Sequence, residues 1–196
     1  NISTMTTAST IMGDVRANDV SITDKTLSNY LTALRRLFII EDVKAWQPSL
    51  RSRTGIRTSD KRHFVDTSIA TAILELNPKS ALEDFELFGF LFEDFCLRDI
   101  RVYTELLRGS VYHYHDNSNL ESDLIIRLHD GRWAAIEVKT GSKEIEDASK
   151  NLIKLANEVD TAKIGAPSFL MVLTAGQYAY RREDGVYVVP IGCLKP

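Results

Sequence analysis

Cysteine is scarce in this chain of 196 residues: Cys96 and Cys193 are the only two. Each sits among apolar residues, so two buried free thiols in a reducing compartment are expected rather than a disulfide framework or a thiolate metal site. The cytoplasm is the expected location. Proline (five) and glycine (ten) are also few, which excludes a collagenous repeat or a low-complexity tail. No apolar run reaches the ~18 residues needed to cross a bilayer, so no membrane partner is expected. The opening residues, NISTMTTASTIMGDV, lack the basic start and unbroken apolar stretch of a secretory signal. Charge of one sign is missing too. With 24 Lys and Arg against 27 Asp and Glu, the net −3 argues against a protein that coats nucleic acid with its whole surface. The chain begins at Asn1 rather than Met and is expected to be a piece of something longer.

What is present is a 44% hydrophobic content, sufficient for one large core or two small ones. Charge is unevenly spread. Residues 1–63 hold ten basic and six acidic residues, and residues 64–196 hold fourteen and twenty-one. Such asymmetry suggests two modules, 1–63 and 64–196, with different surfaces. In the first, Leu27, Tyr30, Leu31, Leu34, Leu37 and Phe38 fall at helical spacing and predict one apolar helix face, with Thr23 or Asp24 as its cap. A short helix before it and the extended IIEDVKAW after it fit a winged-helix-like segment, a pattern that other small helical bundles share. Residues 47–63 carry Arg51, Arg53, Arg57, Lys61 and Arg62 against a single Asp60. This stretch reads as a basic loop or wing, either solvated or contacting the phosphates of DNA.

The second part is punctuated more clearly. A helix over roughly 82–107, apolar nearly all round at its start, is expected to be central and buried. SVYHYHD, SDLIIRLH and WAAIEVK read as strands, the last two joined by Asp130-Gly131, a hairpin signal. An amphipathic helix over 143–159, the buried strand SFLMVLTA and a closing hairpin around Glu183-Asp184-Gly185 complete an α/β sandwich with a mixed sheet.

The hairpin holds the chemistry. Strand periodicity puts Glu137 and Lys139 on one face, and folding at Asp130-Gly131 sets Asp123 opposite position 137 or 138. Ile136 and Val138 are expected to point into the core while the polar trio faces outward. Two carboxylates at that separation can hold one Mg²⁺ with several waters retained, and Lys139 can orient or deprotonate an attacking water. The competing reading is a cross-strand salt bridge on an exposed hairpin face. Glu93, on the long helix, is either a further support for the site or a helix charge at the rim of an apolar face. His113, His115 and His129 fit an exposed aromatic strand better than a metal site.

Glu93, Asp123 in ESDLII and Glu137-Val138-Lys139 in AAIEVKTG resemble the restriction-endonuclease-like superfamily with its PD-(D/E)xK signature. From about residue 20 onward, the segments ITDKTLSNYLTALRRLFIIEDVKAW, KRHFVDTSIATAIL and LFGFLFEDFCLRDI together with the hairpin resemble a prokaryotic family, domain of unknown function 4143. Its members form the C-terminal part of AAA-type P-loop ATPases. The resemblance implies a restriction-endonuclease-like core behind a winged-helix-like segment. It also implies Asp123 and Glu137 as Mg²⁺ ligands, Lys139 and Glu93 as catalytic groups, and an ATPase domain as partner. Many superfamily members have lost catalysis, so a non-catalytic binding or regulatory module is the alternative. Ser122 stands where the signature has Pro, and no GxxxxGK[ST] sequence exists, so no ATP site is assigned to these residues.

Overall fold

The computed structural model describes residues 4–18 and 21–195. It divides into two compact units: residues 1–43 with 60–94, and residues 44–59 with 95–196.

The first unit begins with helices α1 (Ala8–Ala17) and α2 (Asp24–Arg36), each capped by a threonine side chain. Thr23 Oγ1 accepts from Thr26 N, fulfilling the expected cap. Strands β1 (Ile40–Val43) and β2 (Lys61–Phe64) pair antiparallel, and helices α3 (Thr67–Ile73) and α4 (Pro78–Glu83) follow. The apolar face expected on α2 is narrower than its spacing suggests. Leu27 is buried, whereas Tyr30, Leu37 and Phe38 are exposed. The helix stops at Arg36 and Phe38 takes a left-handed backbone (φ 55°), so the helical period no longer governs where those last two point.

Helix α5 (Phe85–Leu106) is split by the unit division between positions 94 and 95. Asp84 interrupts the chain before it and accepts from Leu87 N, which is why the helix expected from 82 starts later. Only its middle is core: Leu91, Phe92, Cys96, Leu97 and Ile100 are buried, while Phe85, Val102 and Leu106 are exposed. The expectation of a helix buried from its start is therefore corrected.

The second unit is a mixed α/β structure. Strands β3 (Gly109–His115), β4 (Glu121–Leu128), β5 (Trp133–Lys139), β6 (Leu170–Thr174), β7 (Tyr180–Arg181) and β8 (Tyr187–Pro190) form a six-stranded sheet in the order β3-β4-β5-β6-β8-β7. β5, β6 and β8 run parallel, and the remaining pairs are antiparallel. Gly131, at φ 90°, makes the β4–β5 turn. Helix α6 (Ile145–Glu158) packs on β4, β5 and β6, burying Ile145, Ala148, Leu152 and Leu155 against Ile125, Trp133, Ala135 and Val172. A short helix, α7 (Thr161–Ile164), leads into β6.

The stretch before β2 is stitched to this sheet. Trp46 N donates to His113 O, Leu50 bridges to Val159 and Ile56 to Asp116, and the Trp46 ring lies 4.8 Å from that of Trp133. Cys96 is buried as expected, but Cys193 is exposed, because it lies in the turn after β8 rather than in a strand.

Candidate functional site

The site is built where β4 and β5 stop pairing through their backbones. Their ladder runs in register to Leu124↔Ile136, and one more step sets Asp123 opposite Glu137. Beyond that point side chains replace the ladder. Asp123 Oδ2 accepts from Val138 N at 2.8 Å, Ser122 Oγ donates to Ile136 O at 3.0 Å, and Glu137 Oε2 accepts from Asp123 N at 3.4 Å. On the other side of β4 the register shifts by one residue. Tyr112 faces Ile125 and Tyr114 faces Ser122, so Leu124 and Asp123 together oppose the single residue His113. This is a β-bulge, a device that re-aims a side chain, and it carries Asp123.

Glu137 differs from its expected setting. β5 is the third of six strands and is buried along nearly its whole length, so Glu137 is 1% exposed instead of facing outward. Ile136 and Val138 are buried as expected. Lys139, half-buried at the strand's end, places Nζ 3.2 Å from Glu137 Oε1. Burial and then the Asp123 charge push the Glu137 carboxyl well above its ordinary range, although Lys139 opposes them. For Lys139, burial favours loss of the proton, but the Glu137 and Asp123 carboxylates outweigh it and raise its pKa. The arrangement crowds two carboxylates around one ammonium group in a largely dry place.

The other predicted residues lie elsewhere. Glu93 belongs to the first unit, where its Oε1 accepts from Lys61 Nζ. Arg62 pairs with Asp42 at 3.5 Å in that same unit. Arg51 donates to Thr161 Oγ1 and Arg57 to Asn119 Oδ1, both at 2.7 Å within the second unit, and Arg53 is exposed. The five basic residues thus divide between the units. His113 is buried with Nε2 3.0 Å from Ser59 O, and His129 is exposed, so the three histidines do not form the exposed strand face expected. Among the described residues no group of three or more His, Cys, Asp or Glu side chains converges to hold a metal ion. No helix among them is long and apolar enough to cross a membrane.

Two features were not visible in the sequence. In the first unit, the fully buried Asp94 accepts from Phe64 N (3.0 Å) and Thr67 Oγ1 (3.0 Å) and lies 3.1 Å from His63 Nδ1. Its partners are about thirty positions away, beyond any local pattern. In the second, a pocket of about 290 Å³ opens at the carboxyl ends of β6 and β8, lined by residues 174–177 and 190–193. Lys139, Thr174 and Pro190 are register partners across β5, β6 and β8, so two of the pocket's lining residues share the Lys139 row of the sheet, although Asp123, Glu137 and Lys139 do not line the pocket.

These features define the class: a mixed α/β domain with a buried acid-lysine cluster at a bulged sheet end. The chain belongs to the family described as a domain of unknown function (DUF4143), whose model matches residues 88–194. A second model, also described as a domain of unknown function (DUF8612), matches residues 2–80. No curated protein matches. Among solved structures, the chain is similar to a chain in the refined half-complex from a tetradecameric assembly of Thermococcus gammatolerans McrB AAA+ hexamers with bound McrC. The identity is 10% and the TM-score 0.36, over 83% of this chain and 59% of that one. It thus spans about three fifths of that chain's length.

Proposed function

We propose that this protein is the C-terminal part of an AAA-type ATPase and that its second unit is a restriction-endonuclease-like core hydrolysing phosphodiester bonds, with DNA as substrate. The observation that carries the chemistry is Glu137: a carboxylate buried on a central strand, beside a second carboxylate re-aimed by a bulge. Two hard oxygen donors suit Mg²⁺, and the burial and the Asp123 charge that raise the Glu137 pKa are what a divalent cation would offset. Asp123 and Glu137 would hold the ion. When bound, it would polarise a phosphate oxygen and acidify an attached water. Val138 N fixes the Asp123 carboxylate, and Lys139 contributes the positive charge that orients the nucleophile and offsets charge building on phosphorus. Arg51, Arg53 and Arg57 are candidate phosphate contacts of the second unit, and the winged-helix-like segment is assigned a docking role. The ATPase association rests on the family resemblance.

A non-catalytic module is the alternative, favoured by the want of a third converging ligand among the described residues and by the existing Lys139–Glu137 pair. Cleavage of labelled DNA with Mg²⁺ or Mn²⁺ separates the two. Hydrolysis that falls at least a hundredfold in Lys139→Ala supports the enzyme. Absence of cleavage with either metal overturns it in favour of the module.

A further inference from the structure

The two edges of the six-stranded sheet are treated differently. β3, at one edge, is engaged by the stretch before β2: Trp46 N donates to His113 O, His113 N to Lys44 O and Arg57 N to His115 O. β7 is the last strand at the other edge among the described residues, and positions 175–181 are all exposed. The direction of its backbone groups follows from the ladder. Arg182 N donates to Val186 O, and alternation along an antiparallel pair then makes Tyr180 and Val188 a bonded pair, with Arg181 and Tyr187 unbonded between them. The N–H and C=O of Arg181, and of Ala179 two residues back, therefore turn toward the open edge. Three tyrosines gather here. Tyr178 is 79% exposed, Tyr180 48% and Tyr187 39%, and the Arg181 guanidinium lies 5.4 Å from the Tyr187 ring centroid. No acidic residue occurs from Ala175 to Arg182. Tyrosine and arginine without carboxylates is the composition of interfaces rather than of ordinary surface.

We propose that this edge pairs antiparallel with the same edge of a second copy of the chain, about a twofold axis at Tyr180. The register favours a self-contact. With Tyr180 opposite its own copy, Arg181 faces Ala179 of the other chain and their outward groups exchange hydrogen bonds. The axis repeats the exchange, for about four new bonds in all. Tyr178 falls opposite Arg182, whose guanidinium is already held by Glu146 and Asp184, so each rung on that face sets a ring against a cation or another ring. No rung opposes like charges. Moving the axis to Arg181 would set two guanidinium groups against each other. Moving it to Ala179 would draw in Gln177, which belongs to the bend lining the pocket rather than to extended backbone. So few hydrogen bonds leave the tyrosines to supply most of the buried area. The pairing joins the sheets of two copies into one.

The test is sedimentation equilibrium of the full chain from micromolar to hundreds of micromolar, where a monomer–dimer equilibrium is expected. Ala179→Pro removes an N–H that points away from β8, so it spares the ladder and blocks the edge. It is expected to weaken dimerisation about tenfold or more, as is Tyr180→Ala. Cysteine crosslinking reads the axis without relying on the proline. In a Cys193→Ser background, with Cys96 buried, Tyr180→Cys is expected to give a disulfide-linked dimer on mild oxidation. An unbonded antiparallel pair brings its Cα atoms to ~4.5 Å, within disulfide reach. Ala179→Cys stands out of step with its own copy and is expected not to crosslink. A chain that stays monomeric throughout, dimerisation untouched by Ala179→Pro in a variant of unchanged denaturation midpoint, or crosslinking through position 179 instead of 180 overturns the proposal. Monomers at every concentration would leave the edge to an extended segment of another protein.

Discussion

Each unit buries a carboxylate, and the two are treated in opposite ways. Asp94 receives a backbone N–H and a threonine hydroxyl and lies beside a histidine nitrogen, all within 3.1 Å. Glu137 receives one ammonium group and one long contact from a backbone N–H, and it faces another carboxylate. A buried acid surrounded by donors ties elements together: Asp94 joins β2, α3 and α5. A buried acid next to another acid carries a repulsion that an outside cation, on the metal-site reading, would offset. Burial alone therefore does not tell the two acids apart; the charge of their neighbours does.

The largest way to break this contrast is Asp94→Ala. It strips Phe64 N and Thr67 Oγ1 of their acceptor and is expected to cost about 3–5 kcal/mol, seen as a lower denaturation midpoint in guanidinium. A smaller effect comes from His63. Burial lowers its pKa, against the opposing hydrogen bond with Asp94, so the folded state prefers the neutral ring. Below its ordinary value of 6.5 the unfolded chain takes up more protons, so stability is full above that pH and is lost as pH falls through the lowered folded pKa. The slope attributable to this one residue is at most ~1.4 kcal/mol per pH unit, and it should vanish in His63→Gln when denaturation is followed from pH 7.5 to 5. The smallest effect, and the sharpest discriminator, is Glu137→Gln. Removing a charge that crowds Asp123 while keeping an acceptor for Lys139 should leave stability at neutral pH within ~1 kcal/mol of the parent, or raise it. A loss near that of Asp94→Ala would show that Glu137 is structural after all.

Local patterns made much of the second unit legible. WAAIEVK is β5 residue for residue, because Asp130-Gly131 marks its start and Trp133, Ile136 and Val138 favour extended backbone. The apolar stripe of α6 is buried as its 3.6-residue period requires. The meeting of Asp123 with Glu137 was readable from the hairpin fold point. Its environment was not, since whether β5 lies at an edge or in the centre depends on β6 and β8 pairing beyond it, and the apolar run of β6 marks a buried strand without saying which neighbour it takes. The bulge was equally hidden, being a relation between β4 and β3 rather than a property of ESDLII. Trp46, Leu50 and Ile56 lie in a stretch whose arginines dominate its composition, and three scattered apolar residues were enough to join it to the second unit.

The bulge on β4 also separates two kinds of inheritance. The β4–β5 ladder closes at Leu124↔Ile136, one residue short of Asp123, and Val138 N needs only an oxygen acceptor at that position. An asparagine could supply that acceptor and leave the sheet undisturbed while removing the charge. A lineage could therefore lose the chemistry by one codon change and keep the architecture. Deleting either residue of the bulge would shift the strand's phase and send every following side chain to the wrong face. Folding thus restrains insertions and deletions there, whereas the Val138 N–H asks only for an oxygen acceptor at position 123.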